Sequence, residues 1–159
     1  YNHIPAAAAK RRLPASVWRD YRKVSIVRNP WDRAISIFFW KNTKKRKNMV
    51  PDIANFTRYF QDKPDLLEIN YPNYRIGGKD IVDTYLRFEH FEEDILAFEK
   101  QVPSLSGLWE TFSQINAKGD TRDPSRSTPA QIFADNPQVN GQIERLNSWE
   151  IQKFGYRLR

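Results

Sequence analysis

Apolar and polar positions along this chain switch between two periods, and each switch marks an element. Lys23-Val24-Ser25-Ile26-Val27-Arg28 is short, rich in β-branched residues and bounded by polar ones, which predicts a strand. Asn29-Pro30 breaks it. From Asp32 to about Lys44 the period becomes helical, with Trp31, Ile35, Phe38 and Phe39 on the apolar side. Ile53, Phe56, Tyr59 and Phe60 repeat that spacing after Pro51-Asp52. Tyr74-Arg75-Ile76 followed by Gly77-Gly78 predicts a short strand and a turn, and Val82 to Phe88 a further strand. Phe91 to Lys100 reads as a helix whose opening acids, Glu92, Glu93 and Asp94, suit the positive end of the helix dipole. A final helix is expected from about Pro137 to Lys153, with Val139, Ile143, Leu146 and Ile151 apolar. Ahead of the first strand, Ala6–Ala9 predicts a brief helix ended by Leu13-Pro14, and Trp18 to Tyr21 a second short turn or helix. Residues 61–73 and 117–128 read as loops.

A strand that runs through a tight turn into a helix, repeated further along, predicts an α/β fold with a parallel sheet flanked by helices. With 159 residues, 40% of them hydrophobic and 14% aromatic, the chain is long and apolar enough for one domain with a sizeable core. The mean hydropathy of −0.74 and the lack of an apolar run near ~20 residues predict no membrane-spanning helix. The longest apolar cluster, Ala34 to Trp40, is interrupted by Ser36 and runs into a basic segment. Tyr1 to Ala9 lacks the charged start and apolar stretch of a signal peptide.

The absence of cysteine excludes disulfides, thiolate catalysis and thiolate zinc sites. His3 and His90 are the only histidines, so no metal site is expected.

Charge changes the picture most. Residues 1–50 carry 13 Lys/Arg against Asp20 and Asp32, a net of +11, while the remainder sets 13 Lys/Arg against 17 acids, a net of −4. The N-terminal third is therefore suited to an anionic partner, and a nucleotide phosphate, an acidic polysaccharide and nucleic acid all satisfy that condition. A solvated basic face satisfies it as well.

The informative string is Val24-Ser25-Ile26-Val27-Arg28-Asn29-Pro30-Trp31-Asp32-Arg33-Ala34-Ile35-Ser36. An arginine at the end of a strand can give a phosphate two parallel, charge-assisted hydrogen bonds. Ser36, expected about one turn into the next helix, offers a hydroxyl to the same oxygens. Pro30 sets the turn and starts the helix without wasting an amide donor. Asp32 is placed to cap the helix or to pair locally.

This string resembles the 3′-phosphate-binding motif of sulfotransferases that use 3′-phosphoadenosine 5′-phosphosulfate (PAPS). Two later segments resemble further landmarks of that family. One is Thr84-Tyr85-Leu86-Arg87-Phe88-Glu89, a strand ending in Arg-aromatic-Glu, in which Arg87 and Glu89 are expected to be structural; the other is the close, Trp149-Glu150-Ile151 to Phe154-Gly155-Tyr156. The resemblance implies a P-loop-like sulfotransferase fold, N-terminally incomplete, with residues 1–159 forming a single domain that lacks its first strand and 5′-phosphosulfate loop. No Walker-type G-x-x-x-x-G-K-[ST] occurs, and the six glycines are scattered.

Within the family the match is nearest to the carbohydrate branch that includes the heparan 2-O and chondroitin/dermatan enzymes. That resemblance implies PAPS as cosubstrate, sulfonate transfer to an acceptor hydroxyl on a glycan, and no metal. Tyr1-Asn2-His3 is similar to the end of that branch's second strand, which makes His3 the candidate base, and an imidazole titrates near neutrality. His90, directly after the strand motif, is expected to be structural or exposed. The segment Lys118 to Ser127 lies where the family has a basic loop that closes over the nucleotide, so Lys118, Arg122 and Arg126 are candidate phosphate ligands beside Arg28 and Ser36. The basic run Lys41 to Lys47 is a candidate contact for an acidic acceptor. The compartment follows from the source, cytoplasm for a bacterial enzyme and Golgi lumen for a eukaryotic carbohydrate enzyme. Two readings compete: a sulfotransferase-like domain that binds a nucleotide or partner without catalysis, and a basic nucleic-acid-binding domain. The second does not account for Arg28 and Ser36 at their spacing, so no nucleic acid is expected.

Overall fold

The structure, a computed structural model, describes residues 4–43, 52–68, 70–115 and 128–158. In chain order the elements are α1 (Ala6–Arg12), α2 (Ala15–Asp20), β1 (Val24–Val27), α3 (Pro30–Thr43), α4 (Phe56–Asp62), α5 (Tyr71–Tyr74), β2 (Arg75–Ile76), β3 (Lys79–Asp80), β4 (Thr84–Arg87), α6 (Phe91–Gln101), α7 (Leu108–Ser113), α8 (Pro129–Asp135), α9 (Pro137–Leu146) and α10 (Ser148–Phe154). The chain is α/β and mostly helical. Among the described residues, the parallel sheet is the single pair β1 and β4, and β2 with β3 forms a small antiparallel hairpin. No described helix is long and apolar enough to cross a membrane. The residues group into two compact units: residues 1–27 with 69–115, and residues 28–68 with 116–159.

In the first unit, β1 and β4 pair in the register Val24↔Thr84 to Val27↔Arg87. A carboxylate fixes each end of this ladder. At the start, Asp83 accepts from the Lys23 amide at 2.7 Å and from its ammonium at 3.1 Å, while the Lys23 carbonyl accepts from the Asp83 and Thr84 amides. These bonds from Lys23, the backbone one foremost, hold the Asp83 carboxyl below the usual range. At the far end, Asp94 on α6 accepts from the Arg87 amide at 2.7 Å and takes the Arg87 guanidinium by two further bonds at 2.9 and 2.7 Å. Leu86 of β4 buries against Ile95 and Phe98 of α6, with Phe91, Val102, Leu105, Leu108 and Trp109 around them. On that same face the cover does not extend over β1, whose Val24 and Ile26, in register with Thr84 and Leu86, stay 41% and 49% exposed. Tyr74 is buried edge-on to Tyr71 and Tyr85, and the Tyr85 hydroxyl donates to Asp80 at 2.6 Å.

The second unit is an all-helical cluster around α3. Its core takes Trp31, Ala34, Ile35, Phe38 and Phe39 from α3, Phe56 and Phe60 from α4, Leu67, Ile132 and Phe133 from α8, and Val139 and Ile143 from α9. Phe56 is the hub, with edge-to-face contacts to Phe38, Phe60 and Phe133 at centroid distances of 5.2, 5.0 and 5.5 Å. Such pairs add to the burial term because ring edges meet ring faces. Thr128 and Gln131 close a reciprocal capping box at the start of α8.

Most predicted elements are present within two or three residues of their expected bounds. Three differ. The expected helix from Pro137 to Lys153 is two helices, because Asn147 leaves helical geometry (φ −111°, ψ 21°) while its side chain caps the Ile143 carbonyl at 3.1 Å. Residues 61–73, read as loop, contain the end of α4, a helical turn at Pro64–Leu67 and the start of α5, the last two opened by prolines. The expected parallel sheet is a pair of strands among the described residues. The loop expected at 117–128 lies outside the described residues except for Thr128.

Phe56→Ala is expected to cost about 3–5 kcal/mol of unfolding free energy, the range for a buried Phe truncation that leaves a cavity. The exposed Ile115→Ala should stay within about 0.5 kcal/mol of wild type. Equilibrium urea unfolding of both variants checks this, and equal midpoints would contradict the assignment of Phe56 as hub.

Candidate functional site

The strand β1 ends at Val27, and after two intervening residues the chain enters α3 at Pro30. Asn29 is the reason the helix starts there. Its carbonyl accepts from the Arg33 amide at 2.8 Å and its side-chain oxygen from the Trp31 amide at 3.1 Å, so it caps the first turn. Its side-chain nitrogen donates to the Arg157 carbonyl at 2.9 Å, which ties the cap to the segment after α10. Pro30 takes the first helical position, where no amide donor is needed.

Arg28 stands just before this cap. Its Nε donates to the Asp32 carboxylate at 2.6 Å, and its Nη2 pairs with the same oxygen, in a half-buried ion pair one helical turn long. Asp32 and Ser36 are four residues apart on α3 and share one face of it. Ser36 is half-buried near the end of the second turn. Arg28, Asp32 and Ser36 therefore form a polar stripe beside the buried apolar face of α3. The cation, the hydroxyl and the positive end of a 14-residue helix are the components of a phosphate or sulfate site. The Asp32 carboxylate holds the Arg28 guanidinium in place.

One step round the helix is a second polar group, fully inside. Arg33 and Glu150 are 6% and 2% exposed. Arg33 Nη1 reaches Glu150 Oε1 and Oε2 at 3.1 and 3.4 Å; its Nη2 reaches the Leu67 carbonyl at 3.0 Å, Asn147 Oδ1 at 2.6 Å and Glu150 Oε2 at 3.4 Å. Burial pushes the Glu150 carboxyl above the ordinary range, the Arg33 charge and hydrogen bonds pull against that, and the nearby Glu68 adds to the rise. Sequence reasoning passed over this group. Arg33 lay inside the quoted motif and Glu150 inside a terminal landmark, but nothing in the sequence joins two residues 117 positions apart. The one available signal was Glu150 between the apolar Trp149 and Ile151.

The remaining predicted site residues divide plainly. Ser36 lies on α3 and Arg28 two residues before it, where it pairs with Asp32. His3, Lys118, Arg122 and Arg126 lie outside the described residues, as do Lys44 to Lys47. Lys41 places its ammonium over the Trp40 ring, 4.6 Å from the centroid. Arg87 is engaged with Asp94, the structural role expected of it. His90 is exposed with Nδ1 3.1 Å from Glu93 Oε2. Among the described residues no cluster of His, Cys, Asp or Glu converges as metal ligands would. The chain matches no protein-family model, no curated protein and no solved structure.

Burial raises the Asp94 carboxyl, but the hydrogen bonds and charge of Arg87 together outweigh it, and the net shift is downward. A depressed folded-state pKa contributes stability above the ordinary carboxylate value, and that contribution is lost as pH falls through the depressed one. Asp94→Asn should therefore be less stable than wild type at pH 7, with the gap narrowing below about pH 4. Thermal melts of the two proteins across that range check the sign; a gap independent of pH would contradict it.

Proposed function

We propose that this chain forms the 3′-phosphate-binding part of a PAPS-dependent sulfotransferase that moves the sulfonate group to an acceptor hydroxyl, on a carbohydrate. The observation that carries the reading is the stripe Arg28–Asp32–Ser36 at the capped start of α3. An arginine oriented by its own carboxylate, a hydroxyl on the same helical face and a helix N-terminus suit a dianionic phosphate better than they suit a structural role alone. The parallel pairing of β1 with β4 supports the reading, since both motif strands then run in the same direction. In this reading they belong to a larger parallel sheet of the P-loop-like sulfotransferase type, and residues 1–159 act as a single domain.

Roles follow from chemistry. Arg28 and Ser36 bind and orient the donor through its 3′-phosphate, which contributes to rate by fixing geometry rather than by making bonds. The acceptor oxygen attacks sulfur, the bond from sulfur to the 5′-phosphate oxygen breaks, and adenosine 3′,5′-bisphosphate leaves with the electron pair. The acceptor proton passes to a base, a role assigned to His3, and Lys118, Arg122 and Arg126 are assigned to closing over the nucleotide.

Calorimetric titration with adenosine 3′,5′-bisphosphate, beside AMP, tests the reading. The bisphosphate should bind more tightly than AMP, and Arg28→Ala should weaken it about 10- to 100-fold, since charged hydrogen bonds contribute roughly 1.5–3 kcal/mol each. A folded chain that binds the two nucleotides alike, or neither, overturns the donor-site reading. Tight binding of single-stranded RNA that falls steeply with salt, without preference for the bisphosphate, would favour the nucleic-acid reading instead.

A further inference from the structure

We infer that Arg33 and Glu150 are positioning residues for the anion site on α3: their buried ion pair fixes the rotation of the helix about its axis, and with it the line of Arg28, Asp32 and Ser36. The inference rests on the donor-binding reading above and deepens it.

The argument begins with the angular positions of residues on α3. Successive residues advance about 100° around the helix, so Arg33 lies about 100° to one side of Asp32, with Ser36 about 40° to that same side. Ile35 and Phe39 lie on the other side, about 60° and 20° from Asp32. The Asp32–Ser36 stripe is thus bounded by the apolar core on one flank and by the Arg33 clamp on the other. Apolar packing is non-directional, and a helix seated only on Trp31, Ile35, Phe38 and Phe39 has no fixed angular stop. The guanidinium of Arg33 supplies one. It bonds to three separate segments at once: the turn at Pro64–Leu67 through the Leu67 carbonyl, the helix break at Asn147, and Glu150 on α10.

Energetics favour the same conclusion. A buried ion pair gives little net stability over apolar residues of similar volume, because both charges must leave water. A role in setting register accounts for the pair better than a role in holding the fold. The clamp also explains the split of the C-terminal helix. Asn147 departs from helical geometry where its side-chain oxygen meets Arg33, and Glu150 follows three residues later on a new axis. The cap is held from a separate direction, through Asn29 and the Arg157 carbonyl. Together the two tethers hold both the start and the rotation of α3.

The test replaces the pair by apolar residues of similar size, Arg33→Met with Glu150→Leu, and uses Glu150→Gln as a milder second variant. Binding of adenosine 3′,5′-bisphosphate and of AMP is titrated for each, and thermal unfolding is followed by circular dichroism. The double variant is expected to unfold cooperatively with a midpoint close to wild type, yet to lose at least about 10-fold of the preference for the bisphosphate over AMP. Glu150→Gln should lose part of that preference in the same direction. A purely structural pair would move the melting midpoint and leave the ratio of the two affinities alone. A folded double variant with the wild-type ratio overturns the inference and leaves the donor-site reading standing. A wild-type chain without preference for the bisphosphate overturns both. Failure of both variants to fold also overturns the inference, because the pair would then be a requirement of folding rather than of positioning.

Discussion

Helix α3 has to satisfy two demands with one rotation about its axis. It must bury Trp31, Ile35, Phe38 and Phe39 in the core of its unit, and it must leave Asp32 and Ser36 in line with Arg28. Both demands are met because these apolar positions occupy less than half the circumference and the polar stripe lies at their margin. A roll of one residue would bring Arg33 into line with Arg28 and swing Asp32 toward the apolar side. Everything proposed for this chain depends on that rotation, and the buried Arg33–Glu150 pair is the directional contact that opposes such a roll.

The two units use carboxylates in contrasting ways. In the first, Asp83 and Asp94 sit at the ends of a parallel ladder only four residues long and accept backbone amides that a longer sheet would pair. Each also takes the side chain of the residue whose amide it binds, so a single residue is gripped twice. That arrangement suits strands too short to hold by their own hydrogen bonds. In the second unit, Glu150 is placed in the interior, where desolvation works against its charge and only a multiply bonded guanidinium makes it tolerable. The first kind of carboxylate holds strand ends together, and the second sets orientation.

The Arg28–Asp32 pair joins these themes. A guanidinium meant for phosphate would otherwise sample many rotamers and lose entropy on binding. Holding it against a carboxylate one turn into the helix reduces that loss, at the cost of placing a negative charge near the anion. In the proposed site the balance favours binding only if the phosphate also meets the helix N-terminus and Ser36.

Much of this was legible in the residues themselves. The β-branched run before Asn29-Pro30 determined β1 and the start of α3, since strand propensity, a side-chain cap and a proline at the first helical position all act locally. The periodicity of Ile35, Phe38 and Phe39 determined the buried face. What acts over distance was not legible. The break at Asn147 interrupts a segment whose periodicity is continuous, because the helix yields to a hydrogen bond from an arginine far back in the chain. The narrowness of the parallel sheet and the double grip of Asp94 on Arg87 likewise depend on which strands and helices meet. Local preferences are written in neighbouring residues, whereas the partner of a buried charge is chosen by the packing that removes it from water. For this protein the sequence alone determined the strand, turn and helix in which Arg28 and Ser36 stand, and the tertiary structure decided how that helix is held.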